Sequence, residues 1–224
     1  MKIGIIGGTG GMGEGFALRW TDKHDIIIGS RSKEKASEVA ENYSKKAREH
    51  YGDNIKGGIT GDDNFELAKY SDVLILSIPY DSIHETCTKL KDIVRDDCII
   101  VSPIVPMSRS ENGFGFIPLE EGKKTAGELV ADYFKDRSKI VSTFHTVSEV
   151  KLRKIDKRFE VDSFVCGDDM EAVKIVNELI SEIDGMRPIY VGPLYMTYQI
   201  EVLTPLLLNG AKKNKLKHPS VRLV

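Results

Sequence analysis

The strongest constraint on this fold is the stretch KIGIIGGTGGMGEG, Lys2 to Gly15. Ile3, Ile5 and Ile6 make a short β-branched run that suits a strand, and Phe16, Ala17, Leu18 and Trp20 begin an amphipathic run that suits a helix. Between them Gly8, Gly10 and Gly13 give G-x-G-x-x-G in the strand–turn–helix setting that a dinucleotide pyrophosphate requires. Each glycine has its own task. Gly8 allows the tight turn, Gly10 lets backbone approach the pyrophosphate, and Gly13 lets the helix lie close to the sheet. The helix N-terminus then offers free N–H groups to the anion.

A second strand is expected at Ile26 to Ile28. Chains that bind NAD commonly place a carboxylate at its end, against the ribose hydroxyls. Here Ser30 and Arg31 stand twenty and twenty-one residues beyond Gly10, and Lys35 follows one helical turn after Arg31. A guanidinium, a hydroxyl and an ammonium form an anion site, which favours NADP over NAD. Ser32 also reads as the cap of a helix over about 33–50, whose outer face is charged.

Farther on, a short third strand is expected near 56–60 and a helical turn over 62–69. SDVLILSIPY then supplies an apolar strand of the kind buried on both faces of a parallel sheet, and a helix over about 82–94 leads to the strand Ile99 to Val101. Both strands run out at Ser-x-Pro or Ser-Pro. Ser77 to Tyr80, including Ile78 and Pro79, and Ser102 to Pro106, including Pro103 and Val105, should therefore wall a nicotinamide at the carboxyl edge of the sheet. The connection Met107 to Gly122 is long, and Gly113, Phe114, Gly115 and Phe116 combine hinges with apolar cover, as in a lid. A helix over about 124–134 and a strand Ile140 to Ser142 bring His145 and Thr146 to the same edge. His145 is the one catalytic candidate, either touching substrate or serving as a buried hydrogen-bonding residue.

Residues 149–160 read as basic and irregular, after which strand, helix and strand extend the sheet. Asp168 and Asp169 read as helix caps. The apolar segment Leu194 to Leu208, with Pro205 inside it, should bury itself against the sheet edge or a second subunit. The fold class expected is α/β, a Rossmann-type doubly wound and mainly parallel sheet with extra C-terminal strands and a C-terminal helical segment. A core over 1–146 and a smaller portion over 147–224 are the expected division.

Composition excludes more than it selects. A net charge of −2 over 224 residues does not make a nucleic-acid surface, and no apolar run approaches the ~20 residues of a membrane helix. Cys87, Cys98 and Cys166 are too scattered for a disulfide framework or a zinc cluster, so no metal is expected and the cysteines read as reduced thiols in a cytoplasmic protein.

Taken together, GGTGGMGEG, IIIGSRSKEKA, LSIPY, VSPIVP, the FHT at 144–146 and VCGDD followed by SEIDGMRPIYVGPL resemble the archaeal coenzyme F420-dependent NADP reductases over essentially the whole length. The resemblance implies reversible hydride transfer between reduced coenzyme F420, a deazaflavin, and NADP. It implies NADP(H) on Thr9, Gly10, Gly11 and Met12 and on Ser30, Arg31 and Lys35, with the nicotinamide near Ile78, Pro79 and Val101 to Pro103. His145, Thr146 and the helix near Leu207 would face the deazaflavin, with residues 147–224 completing that site. A homodimer is the expected assembly. The loop after Gly115 and the basic tail KKNKLKHPSVRLV depart from the family pattern. Two other readings fit the glycine turn: an NADPH-dependent imine or ketone reductase, and a regulatory module that senses NADP(H).

Overall fold

In the computed structural model, residues 1–117 and 124–224 are described. The strands are β1 (Lys2–Ile6), β2 (Asp25–Ser30), β3 (Ile59–Asp63), β4 (Val73–Leu76), β5 (Ile99–Ser102), β6 (Met107–Ser110), β7 (Gly113–Phe116), β8 (Ile140–Ser142), β9 (Val161–Gly167) and β10 (Met186–Gly192). The helices are α1 (Gly11–Trp20), α2 (Lys33–Tyr51), α3 (Ile83–Leu90), α4 (Ala126–Ala131), α5 (Glu149–Leu152), α6 (Met170–Ser181) and α7 (Thr197–Lys213).

Eight strands form one sheet in the order β10-β9-β8-β5-β4-β1-β2-β3. Every neighbouring pair is parallel except β8 and β9. From β1 the chain first winds outward through β2 and β3, then returns to place β4 on the other side of β1. That reversal opens a crevice at the carboxyl ends of β1 and β4.

Side chains of the inner strands alternate between two cores, as a period of two demands. Ile3 and Ile5 of β1, Val73 and Ile75 of β4, and Ile99 and Val101 of β5 join the core under α1, α2 and α6. Ile6, Leu74, Leu76 and Ile100 join the opposite core with α3 and α4. The sheet is therefore covered on both faces, which accounts for strands with so few polar residues.

The loop after β8 is tied to the first helix by aromatics. Phe16 stacks on Trp20 at 4.8 Å between centroids, Phe144 meets Phe16 edge-on at 4.8 Å, and the Trp20 indole donates to the Leu179 carbonyl at 2.9 Å. The buried guanidinium of Arg19 donates to the carbonyls of Leu152, Lys154 and Lys157 at 2.9, 2.7 and 3.0 Å. A stretch that reads as irregular is thus fixed by a cation on α1, and its first turn is the short helix α5.

Several boundaries differ from the sequence reading. β2 runs on to Ser30, and β3 lies at Ile59–Asp63 instead of 56–60 because it pairs with β2 along its whole length. The helical turn expected over 62–69 is a single tight turn, Leu67–Lys69, since Asp62 and Asp63 belong to β3. The helices expected over 82–94 and 124–134 contract to α3 and α4. Over Met107–Phe116 the expected lid is a β-hairpin instead. Asn209 of α7 clasps it, accepting from the Phe114 amide at 2.9 Å and donating to its carbonyl at 2.6 Å, and the remainder of that expected lid, 118–122, lies outside the described residues. The last helix begins at Thr197 and runs to Lys213. Asp169 caps α6 as expected, whereas Asp168 accepts from the Leu194 amide at 3.0 Å. No helix among the described residues is long and apolar enough to cross a membrane.

Candidate active site

The glycine turn is built from the backbone outward. Gly7 takes φ +69°, a conformation that side chains resist, and its amide donates to Asn64 Oδ1 at 3.0 Å. Tyr43 reaches from α2 to the Thr9 carbonyl at 3.3 Å. Burial, seconded by the nearby Glu14, pushes the Tyr43 phenol up to about 12, so it stays protonated and remains a donor. A Cβ on Gly13 would stand 2.3 Å from the Gly8 carbonyl oxygen and 2.5 Å from the Gly8 Cα, so α1 presses directly on the turn. A Cβ on Gly10 would meet nothing nearer than 3.7 Å. Space is therefore withheld at Gly13 and left open at Gly10. Among the described residues no side chain caps the start of α1, which leaves its first amides free for an anion.

At the end of β2, Ser30 is nearly buried and Arg31 is exposed. Ser32 caps α2, accepting from the Lys35 amide at 3.3 Å, as its capping reading expects. The neighbouring carboxylates on β3 are engaged elsewhere. Asp62 binds Lys33 at 3.0 Å and accepts from Tyr70 at 2.5 Å, and Asp63 accepts from the Phe65 amide at 2.8 Å. Among the described residues, neither Arg31 nor Lys35 has a carboxylate partner.

At the carboxyl ends of β4 and β5, Ile78, Tyr80, Pro103 and Val105 are half-buried and Pro79 is exposed. Val101 and Ser102 have no exposed surface, so they shape the wall from behind. The Ser102 hydroxyl is buried without a partner, and its carbonyl accepts from Ser142 Oγ at 3.3 Å.

Beyond β8 the chain turns sharply at Phe144, which holds φ +68°. A non-glycine residue pays roughly 1–2 kcal/mol for this conformation. The aromatic stack with Phe16 and Trp20, and a bond from the Phe144 amide to Ser163 Oγ at 3.2 Å, hold it there. The turn carries His145 and Thr146 to the wall of a cavity of about 460 Å³, where Leu207, Leu208 and Lys212 of α7 face them. His145 Nε2 meets Ser142 Oγ at 3.3 Å, its carbonyl accepts from Thr204 at 2.9 Å, and its Nδ1 has no partner among the described residues. Burial lowers the imidazole to about 3, so the ring is neutral at physiological pH.

Ser142, Thr204 and Glu201 escaped the sequence reading. Glu201 is buried on α7, accepts from the Gly127 amide at 3.2 Å, and is pushed by burial up to about 7. A lone carboxylate between Ile200 and Leu203 in an apolar helix was the available signal. For Ser142 and Thr204 the sequence held none.

The contrast between two glycines makes a direct test. Gly10→Ala should leave the urea midpoint almost unchanged while weakening NADPH binding at least about tenfold, because only the anion's space is filled. Gly13→Ala should lower stability by at least about 2 kcal/mol, because its methyl group collides with backbone. Equal stability losses in the two variants would show that Gly10 serves only the fold.

Known proteins resemble this chain over its whole length. The family model described as NADP oxidoreductase, coenzyme F420-dependent, matches residues 2–106. An F420-dependent NADP reductase of Methanocaldococcus jannaschii is 40% identical over 224 residues, spanning 100% of this chain and 98% of that protein. The enzyme of the same name from Methanothermobacter thermautotrophicus is 32% identical, over 100% of this chain and 94% of the relative. A crystallised Arthrobacter sp. FB24 protein overlays with a TM-score of 0.80 at 19% identity, over 100% of this chain and 99% of that one, and shares the fold. With its glycine turn, its doubly wound sheet and its full-length likeness to two methanogen enzymes, the chain belongs to the coenzyme F420-dependent NADP oxidoreductase family.

Proposed function

We propose that this protein transfers a hydride, reversibly, between reduced coenzyme F420 and NADP+. The observation that carries this reading is full-length similarity to enzymes of that activity in a chain with two separate half-sites, the glycine turn with Arg31 and the cavity beside His145. Bound together, a nicotinamide and a deazaflavin supply the donor and acceptor carbons.

The residues have positioning to do. Gly8 to Gly13 and the free amides of α1 cradle the pyrophosphate, while Ser30, Arg31 and Lys35 hold the 2′-phosphate. Ile78, Pro79, Tyr80, Pro103 and Val105 enclose the nicotinamide, backed by Val101 and Ser102. His145, Thr146 and Leu207 line the deazaflavin side. Hydride transfer needs the two carbons held about 3–3.5 Å apart and free of water, so apolar walls and rigid placement serve it better than a charged catalyst. A neutral His145 suits this role, since it can donate one ring N–H without bringing a charge into the site. Residues 1–146 form the nucleotide-binding portion, and 147–224 complete the second half-site.

The activity is read from absorbance. With NADPH the protein should bleach the visible band of oxidised coenzyme F420, and with NADP+ it should restore that band from the reduced coenzyme. Arg31→Ala should weaken NADPH binding roughly tenfold to a hundredfold and leave NADH binding nearly unchanged. Equal losses for both nucleotides would remove Arg31 from the phosphate site.

The assembly we infer is a homodimer. Tyr195, Tyr198, Val202 and Leu206 form an exposed apolar stripe along the start of α7 and the turn before it, with Leu206 64% and Tyr195 61% exposed. A stripe at this spacing on one helix face suits an isologous contact. Sedimentation at twice the chain mass is expected, reduced to the chain mass in Leu206→Glu. A monomeric parent protein at micromolar concentration would refute the dimer. The three free cysteines, all buried, accord with a cytoplasmic location, which cell fractionation would test.

A further inference from the structure

The C-terminal segment carries a charge imbalance that hydride transfer does not require. From Asn209 to Val224 the sequence holds Lys212, Lys213, Lys215, Lys217 and Arg222 and no Asp or Glu. Arg222 faces Glu160 at 3.4 Å, whereas among the described residues none of the four lysines has a carboxylate partner. Lys212 and Lys213 lie in the last turn of α7, where cations complement the helix dipole. Lys215 and Lys217 lie past the helix, and the dipole does not account for them.

Backbone geometry fixes where these charges sit. Lys215 takes φ +55° and the Leu216 amide returns to the Ala211 carbonyl at 2.9 Å, so the chain leaves α7 in a sharp reversal. His218 takes φ +53° and turns it again. Leu216, His218 and Pro219 then lie across the same cavity of about 460 Å³ that His145, Leu207 and Lys212 line. Beyond the cavity the segment is pinned down. The Asp162 amide donates to the Val221 carbonyl at 2.9 Å, the Leu223 amide to Asp162 Oδ2 at 2.6 Å, and Lys151 Nζ to Ser220 Oγ at 3.4 Å. The carboxylate on the cavity wall, Glu149, faces Arg153 at 3.4 Å and does not neutralise the lysines.

We propose that Lys212, Lys213, Lys215 and Lys217 form a basic collar that binds the oligoanionic tail of the deazaflavin co-substrate, a phosphodiester followed by γ-linked glutamates. Lys212 lines the cavity proposed for the ring, and Lys213, Lys215 and Lys217 follow it within five residues, so ring and tail are held by one stretch of chain. This inference rests on the hydride-transfer reading above. Each added glutamate contributes one carboxylate, and solvent-exposed charge pairs of this kind are individually weak, additive in number and screened by salt. The collar therefore selects for tail length and leaves the chemistry alone.

The test compares the full-length protein with its K213Q/K215Q/K217Q variant, using the tailless ribityl deazaflavin and coenzymes bearing one, two and five glutamates. Dissociation constants are read by fluorescence at about 20 mM and about 300 mM salt, since screening distances shrink over that range. For the parent protein, affinity should rise with tail length at low salt, roughly tenfold from tailless to five glutamates, and the gain should vanish at high salt. The variant, which keeps only Lys212 of the four, should lose most of the gain with tail length, with KM for NADPH and turnover of the tailless ring unchanged. If tail length makes no difference at low salt while hydride transfer proceeds, the collar is overturned and the hydride-transfer reading stands. If no deazaflavin, tailed or tailless, exchanges hydride with NADPH, both fall.

Discussion

The structure depends on one close approach, the contact of Gly13 on α1 with the backbone of Gly8. With a Cβ at 2.3 Å from the Gly8 carbonyl oxygen, no other residue could let the helix settle so near the end of β1. That approach points the free amides of α1 at the crevice where the winding of the sheet reverses. It also presents Phe16, Trp20 and Arg19 to the loop after β8 and to α5, so the position of the helix determines the second half-site as well as the first.

The loop after β8 stores strain where it meets the cavity lined by His145 and Leu207. Phe144 sits in the left-handed region because its ring is locked between Phe16 and the neighbouring core. His145 follows directly, aimed by the turn and bonded through its carbonyl to Thr204 of α7. Burial keeps its imidazole neutral. A packed aromatic cluster thus sets the orientation of a polar residue at the surface of the cavity, and α7 closes the opposite side.

Much of the fold was legible because its signals are local. The glycine turn, the Ser32 cap, the alternating apolar residues of β1, β4 and β5 and the amphipathic face of α6 are all written in residues close together in sequence. What was illegible depends on distant partners. β3 is polar and glycine-containing, and its limits are fixed by pairing with β2. α5 is only four residues long and is held by Arg19, more than a hundred positions away. Gly113 and Gly115 read as hinges, yet they belong to a strand whose partner and clasp, β6 and Asn209, give it regular hydrogen bonds. In the candidate site, Arg31 and His145 could be picked out because charge and position marked them. Ser142, Thr204 and the orientation of Glu201 emerge only once the strands and α7 are brought together.

If the site brings two rings together for direct hydride transfer, a label on the nicotinamide must arrive on the deazaflavin. The most direct measurement uses NADPH deuterated at the transferred position of its nicotinamide ring, with oxidised coenzyme F420 as acceptor, and follows the label by mass spectrometry and NMR. The account predicts one deuterium on the deazaflavin for each NADPH oxidised, with none lost to solvent. A deazaflavin that never acquires the label, while a simple imine or ketone is reduced and does acquire it, would contradict the account.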